Sequence, residues 1–364
     1  MFLPHSAASK TLVIALGGNA ISVPGEEGNI EQQFAHTAQT AQRLCDVIER
    51  GYQLVITHGN GPQVGNILRR VEIASEELYT IPLEVCVADT QAGMGYMIAQ
   101  CLQNAHTKRA TSSPSPLPRS EGTTSSPSPL LRGEGRGGGQ SPESKGQTLE
   151  ISTVVTTVTV DPLDPAFDNP TKPIGPYLTK SQADLHAKHD GWIVKRTASG
   201  HYRRIVPSPR PREILELAAI RELVAAGHVV ICGGGGGIPV VRDATGAYHG
   251  AAAVVDKDRT TGLLASALDV KVLIILTAVD CAFVNFGRAG QQALSQLTVD
   301  EARSYVNDGQ FGAGSMQPKI ETAIDFVSSS RHQEAVAIVA HVDKLADALD
   351  GKSGTRIVAH TPCD

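Results

Sequence analysis

The chain has 364 residues, 41% hydrophobic and 19% charged, proportions that support a sizeable buried core and argue against disorder over most of its length. A formal net charge of −5 gives no basic field to gather nucleic acid, and 4% aromatic content leaves no row of platforms for stacking bases. The six cysteines (Cys45, Cys86, Cys101, Cys232, Cys281, Cys363) form no C-x-x-C pair and lie mostly in apolar runs, so they read as small core hydrophobes in a reducing, cytoplasmic setting.

Met1–Lys10 lacks the basic start and apolar stretch of a signal peptide, and no apolar run reaches the length of a membrane span, so a soluble protein is expected. Thr11–Leu16 reads as a buried strand. It ends in Gly17-Gly18-Asn19, where missing side chains let backbone N–H groups approach an anion and the Asn amide adds a donor. An amphipathic helix over Ile30–Arg50 leads to a second strand, Gln53–Thr57, which runs into His58-Gly59-Asn60-Gly61-Pro62-Gln63-Val64-Gly65. Two loops of one design can face a common site. The spacing G-x-G-x-x-x-G misses the dinucleotide fingerprint by one residue, which disfavours NAD. His58, at a strand end, reads as structural.

A helix is expected over Thr90–Asn104. Beyond it Thr111–Thr123 is nearly repeated as Thr124–Arg136, with three of thirteen positions differing. This tandem duplication, rich in Ser, Pro and Gly, cannot bury a core, so residues 107–147 are expected to form a low-complexity, disordered insert without a function. Ile151–Val160 follows as a strand, Lys172 stands among prolines in PTKPIGP, and Pro211–Ala226 has a helical pattern. Strand Val229–Cys232 opens into Gly233, Gly234, Gly235, Gly236 and Gly237. The apolar exit through Ile238 and Pro239 favours close approach to a ligand over a flexible linker.

Lys257 sits between two acids in Asp256-Lys257-Asp258. Strand Val272–Thr277, helix Val299–Asn307, helix Pro318–Ser329 with Lys319 in its first turn, and strand Ala335–Val339 complete the chain. The alternation of strands and helices predicts an α/β fold: a three-layer αβα sandwich on a largely parallel central sheet, with residues 1–364 forming one domain. No Walker-type G-x-x-x-x-G-K-[ST] occurs, so phosphate would have to be held by glycine loops and dispersed lysines.

The segments ALGGNA, THGNGPQVGN, DPAFDNPTKPIGP, RRIVPSPRP, GGGGIPV, VVDKD, TAVD and GAGSMQPK, in this order, resemble the carbamate kinase family of the amino acid kinase fold, from about Thr11 to Val358 apart from the repeat. The resemblance implies a cytoplasmic, homodimeric, magnesium-dependent enzyme that moves a phosphoryl group reversibly between ATP and carbamate, giving ADP and carbamoyl phosphate. It implies that Gly17, Gly18 and Asn19 contact the transferring group, with Gly59, Asn60 and Gly61 on the acceptor side. By the same resemblance Lys172 reaches the acceptor from a protruding, lid-like subdomain over residues 171–206, and Lys257 and Lys319 flank the phosphate, held by Asp258. Gly233–Gly237, Thr277, Asp280 and Lys319 would belong to the nucleotide side. Carbamate presents an anionic oxygen, so no general base is needed, in keeping with the absence of a Ser/His/Asp or paired-carboxylate pattern.

One departure is Arg259-Thr260-Thr261-Gly262, where the family has an apolar, alanine-rich helix start. Two other readings stay open. The chain could phosphorylate another carboxylate, against which PTKPIGP and the absence of a lysine before the first glycine pair both speak. It could also be a silent nucleotide-binding paralogue, which ATP formation from carbamoyl phosphate and ADP would separate.

Overall fold

The structure is a computed structural model and describes residues 10–21, 26–112, 148–197, 200–312 and 315–360. Strand β1 (Thr11–Leu16) is buried along its length, as an unbroken apolar run covered on both faces should be. Helix α1 (Ile30–Glu49) starts with a capping box: the Asn29 side chain accepts from the Gln32 amide, and the Gln32 side chain accepts from the Asn29 amide. Strand β2 (Gln53–His58), helix α2 (Gly61–Ile73) and helix α3 (Leu83–Ser112) follow.

Helix α3 overruns the expected Thr90–Asn104 at both ends because it serves two partners. Its start buries Leu83, Cys86 and Val87 against Val64 and Leu68 of α2, and its middle buries Met94, Ile98 and Leu102 in the core shared with α1. Residues 107–112, expected within the low-complexity insert, are its last turns, and residues 113–147 lie outside the described residues.

The expected strand Ile151–Val160 is two strands, β3 (Ile151–Thr153) and β4 (Thr157–Val160), in different sheets. Gln91 secures the crossing: its side chain accepts from the Thr156 N–H at 2.8 Å and donates to the Thr156 carbonyl at 3.0 Å. Both backbone groups are thereby satisfied where the chain leaves the first sheet. Strand β5 (Lys172–Leu178), helix α4 (Lys180–His189), β6 (Val194–Arg196) and β7 (Tyr202–Val206) build a small antiparallel sheet in the order β5-β7-β6.

Pro211–Ala226 is not one helix. It opens as strand β8 (Pro211–Ile214), and only Leu217–Ala225 forms helix α5. Strand β8 pairs antiparallel with β4 at the edge of its sheet, where a proline lacking an N–H is tolerated. The chain continues through β9 (Val229–Ile231), β10 (Ile238–Arg242), β11 (Tyr248–Gly250), α6 (Lys257–Ala267) and β12 (Val272–Thr277). It ends through β13 (Ala282–Val284), β14 (Gln292–Leu294), β15 (Gln296–Thr298), α7 (Val299–Asn307), α8 (Met316–Ser329), β16 (Val336–His341), α9 (Leu345–Leu349) and β17 (Thr355–Val358).

The central sheet runs β15-β17-β16-β12-β1-β2-β9-β3 and is parallel from β16 to β3. Alternate residues of β1 divide between two cores. Leu12, Ile14 and Leu16 pack with Leu44 of α1 and Ile98 of α3, while Val13 and Ala15 pack with Leu264 of α6 and Phe326 of α8. This is the expected three-layer sandwich. The register sets Leu16 beside His58 and Ala15 beside Ile275, so β1, β2 and β12 release their loops along one edge. In a parallel sheet that edge, at the carboxyl ends of the strands, is where a ligand crevice forms. Among the described residues no helix is long and apolar enough to cross a membrane.

Candidate active site

The released loops enclose a cavity of about 730 Å³. Gly17 and Gly18 reach it from β1, Gly59, Asn60 and Gly61 from β2, Lys257 and Asp258 from the start of α6, Thr277 from the end of β12, Lys319 from the first turn of α8, and Lys172 from the small sheet. A Cβ on Gly17 would lie 2.7 Å from the Leu276 carbonyl oxygen, so only glycine lets β1 turn out so close to β12. Asn19 lies in the short 3-10 turn Gly18–Ala20 that follows.

Asp258 is the electrostatic centre. It is 3% exposed, and its two carboxylate oxygens are divided between lysines, Oδ1 accepting from Lys257 and Oδ2 from Lys319 at 2.7 Å. Burial works against its charge, yet the two ammonium groups outweigh that and hold its carboxyl below the usual range. The proton of Lys257 is loosened by burial and by the neighbouring Lys319, although Asp258 opposes both. On Lys319 the attraction of Asp258 prevails over burial and raises the pKa. Two cations and one anion leave a local excess of one positive charge. Each ammonium gives one N–H to Asp258 and keeps others to offer elsewhere.

Sequence reasoning missed Asp256. Its Oδ1 caps α6 by accepting from the Asp258 N–H at 2.9 Å, and its other oxygen accepts from Lys172 Nζ at 2.5 Å. One residue thus ties the small sheet to the helix that carries Lys257 and Asp258. The signal lay in the first acid of the DKD motif. Arg203 was missed too: it is half-buried, lines the cavity near Lys172 and donates from Nη2 to the Gly175 carbonyl at 2.7 Å.

Other expected residues are placed differently. Of Gly233–Gly237 only Gly235 lines the cavity, and Asp280 does not. The glycine run is packed between the β2 loop and α6. A Cβ on Gly234 would meet His58 Nε2 at 2.5 Å, and one on Gly235 would meet Asn60 Nδ2 at 2.2 Å. His58 is fully buried beneath that run, 3.2 Å from the Gly59 carbonyl through Nδ1, and burial lowers its pKa to about 4. It is neutral and structural.

The unusual Thr260 and Thr261 are buried but satisfied. Thr260 donates to the Gly236 carbonyl at 2.7 Å, while Thr261 donates to the Lys257 carbonyl and shares a 2.6 Å hydrogen bond with Thr57. These hydroxyls fasten α6 to the glycine run and to β2, and they leave the lysine pair in place. Residues 313 and 314, within the GAGSMQPK block, lie outside the described residues.

Comparison with known proteins gives the family of the chain. A family model described as the amino acid kinase family matches residues 10–338. Carbamate kinase from Pyrococcus horikoshii is 38% identical over 349 residues, covering 95% of this chain and 98% of the relative. Carbamate kinase 2 from Enterococcus faecalis is 40% identical over 348 residues, covering 95% and 97%. The solved structure of carbamate kinase from Giardia lamblia bound to AMP-PNP superposes with a TM-score of 0.79 at 36% identity, covering 97% of this chain and 99% of that one. The chain belongs to the amino acid kinase family, and within it to the carbamate kinases.

Proposed function

We propose that this chain transfers a phosphoryl group between carbamoyl phosphate and ADP, yielding ATP and carbamate, and that the reaction is reversible. The observation that carries this reading is the pair Lys257 and Lys319, joined through Asp258 and facing the β1 and β2 glycine loops. Phosphoryl transfer depends on alignment and on stabilising charge at the equatorial oxygens of the migrating group, and this arrangement supplies both.

In this reading the backbone amides at Gly17 and Gly18 and the spare N–H groups of Lys257 and Lys319 hold the migrating group. Gly59, Asn60 and Gly61 flank the acceptor. Lys172 leaves Asp256 to bind carbamoyl phosphate, and Arg203 adds positive charge on that side. Thr277 and Lys319 belong to the nucleotide side, with Gly233–Gly237 shaping the floor under Asn60; nucleotide binding is supported by the Giardia relative bound to AMP-PNP. Attack needs no proton removed, since one partner is an anionic oxygen in either direction.

Magnesium would arrive with the nucleotide as part of the substrate. Asp256 and Asp258 are both occupied by lysines, and among the described residues no group of three His, Cys, Asp or Glu could hold a metal ion, a donor set suited to an ion carried by phosphate oxygens and water. The test is to incubate purified protein with carbamoyl phosphate, ADP and magnesium and to measure ATP. Nucleotide binding with no ATP formed would favour a silent paralogue instead. A homodimer and a cytoplasmic location belong to the same reading; the likeness to the family supports the first, that likeness and the cysteine pattern support the second, and light scattering on that sample checks the dimer.

A further inference from the structure

The small sheet packs on the body at a seam along α2 that adjoins the cavity, since Ile174 borders both. Ile174 of β5 is buried there with Val64 and Leu68 of α2, and backbone meets backbone: a Cβ on Gly65 would lie 1.9 Å from Gly175 Cα. Across this apolar contact runs one ion pair, Arg204 Nη1 of β7 to Glu72 Oε1 of α2 at 3.3 Å. The Arg204 guanidinium also lies 4.5 Å from the Trp192 ring centroid, and Trp192 stacks on His186 at 4.2 Å and 10°. His186 in turn bonds Asp190 at 2.6 Å. Trp192 is the single tryptophan of the chain.

Among the described residues two ion pairs join the small sheet to the body: Lys172 with Asp256 inside the cavity, and Arg204 with Glu72 at the seam. The first cannot persist if Lys172 turns to an incoming phosphate, because that ammonium is then shared with or lost from Asp256. The seam pair, the Gly65–Gly175 contact and the burial of Ile174 on α2 do not depend on the substrate. Burial outweighs the pull of Arg204 and pushes the Glu72 carboxyl up, and Arg69 of α2 stands 3.6 Å from its Oε2, so the pair fixes where the sheet sits more than it adds stability.

We infer that Glu72 and Arg204 are positioning residues, a latch that keeps the small sheet seated on α2 so that Lys172 stays over the acceptor after it leaves Asp256. This rests on the kinase reading above, in which Lys172 binds carbamoyl phosphate. The latch acts on one substrate. Nucleotide contacts on β12 and α8 lie outside its reach.

Two variants test it from different sides. Glu72→Gln removes the charge with almost no change of shape, and Gly65→Ala, whose Cβ would overlap Gly175, displaces the sheet from α2 without altering the charge of either partner. In both, the KM for carbamoyl phosphate should rise about tenfold or more, with the KM for ADP within about twofold of wild type, as expected when one substrate-holding group is misplaced. Trp192 emission, with no substrate present, should move to longer wavelength in both and return toward the wild-type position as carbamoyl phosphate saturates. Wild-type KM values, equal losses on both substrates, or emission unchanged from wild type would overturn the latch. If Gly65→Ala fails to fold, Glu72→Gln alone decides. The emission needs no turnover, so a wild-type chain that makes no ATP counts against the kinase reading while the latch is still judged on Trp192.

Discussion

Asp258 holds two ammonium groups with a single charge, so each side chain of the trio depends on the other two. Replacing Lys257 or Lys319 by Ala should lower kcat by about a hundredfold or more, the usual loss when a preorganised charge stabiliser is removed. Steady-state rates of ATP formation check this, and a variant at wild-type rate would remove that lysine from the mechanism. Asp258→Ala should behave differently, because it strands two buried cations. It should lower stability by about 3–5 kcal/mol, read by urea unfolding, besides abolishing turnover. The lysines were legible in the sequence because each stood in restricted surroundings: prolines beside Lys172, acids beside Lys257, a helix start at Lys319. Asp256 was not, since its partner Lys172 is 84 residues away and only the folded small sheet brings them together.

At the level of elements, segments with one pattern from end to end were read to the residue, as with the apolar runs of β1 and β12 and the capped helix α7. Segments whose surroundings change along their length were not. Helix α3 faces α2 with one end and α1 with its middle, so no single stripe marks its length, and Ile151–Val160 divides at Thr156 because Gln91, on α3, holds that backbone. The glycine run was recognised as a close approach, but the group approached was not: it comes against His58 and Asn60 of the β2 loop. Gly235 has φ +62°, and a Cβ there would collide with the Asn60 amide, which now donates to Thr90 Oγ1 at 2.7 Å. Gly235→Ala should therefore disturb the acceptor loop and lower kcat/KM for carbamoyl phosphate by about tenfold or more. Unchanged kinetics would mean that Asn60 yields freely and plays no part in holding the acceptor.

For the whole molecule, the buried groups that shape the site also set how it responds to acid. His58 has an unfolded pKa near 6.5 and a folded one of about 4, so the unfolded chain binds its proton first as pH falls. Its neutral burial has no effect on stability above about pH 6.5 and weakens the fold progressively from there down to about pH 4, by roughly 3 kcal/mol at the lower end. Asp258 acts in a lower window. Its depressed carboxyl stabilises the fold above the unfolded value of about 3.9, and that contribution is lost only as pH falls further. The acid limb should thus show two stages, and only the first belongs to His58. Urea unfolding of wild type and His58→Gln between pH 7 and about 4.5 separates them, because the variant should lose less stability than wild type over that range whatever its starting value. Parallel curves would mean that His58 titrates alike in the folded and unfolded chains, which its place beneath the glycine run forbids.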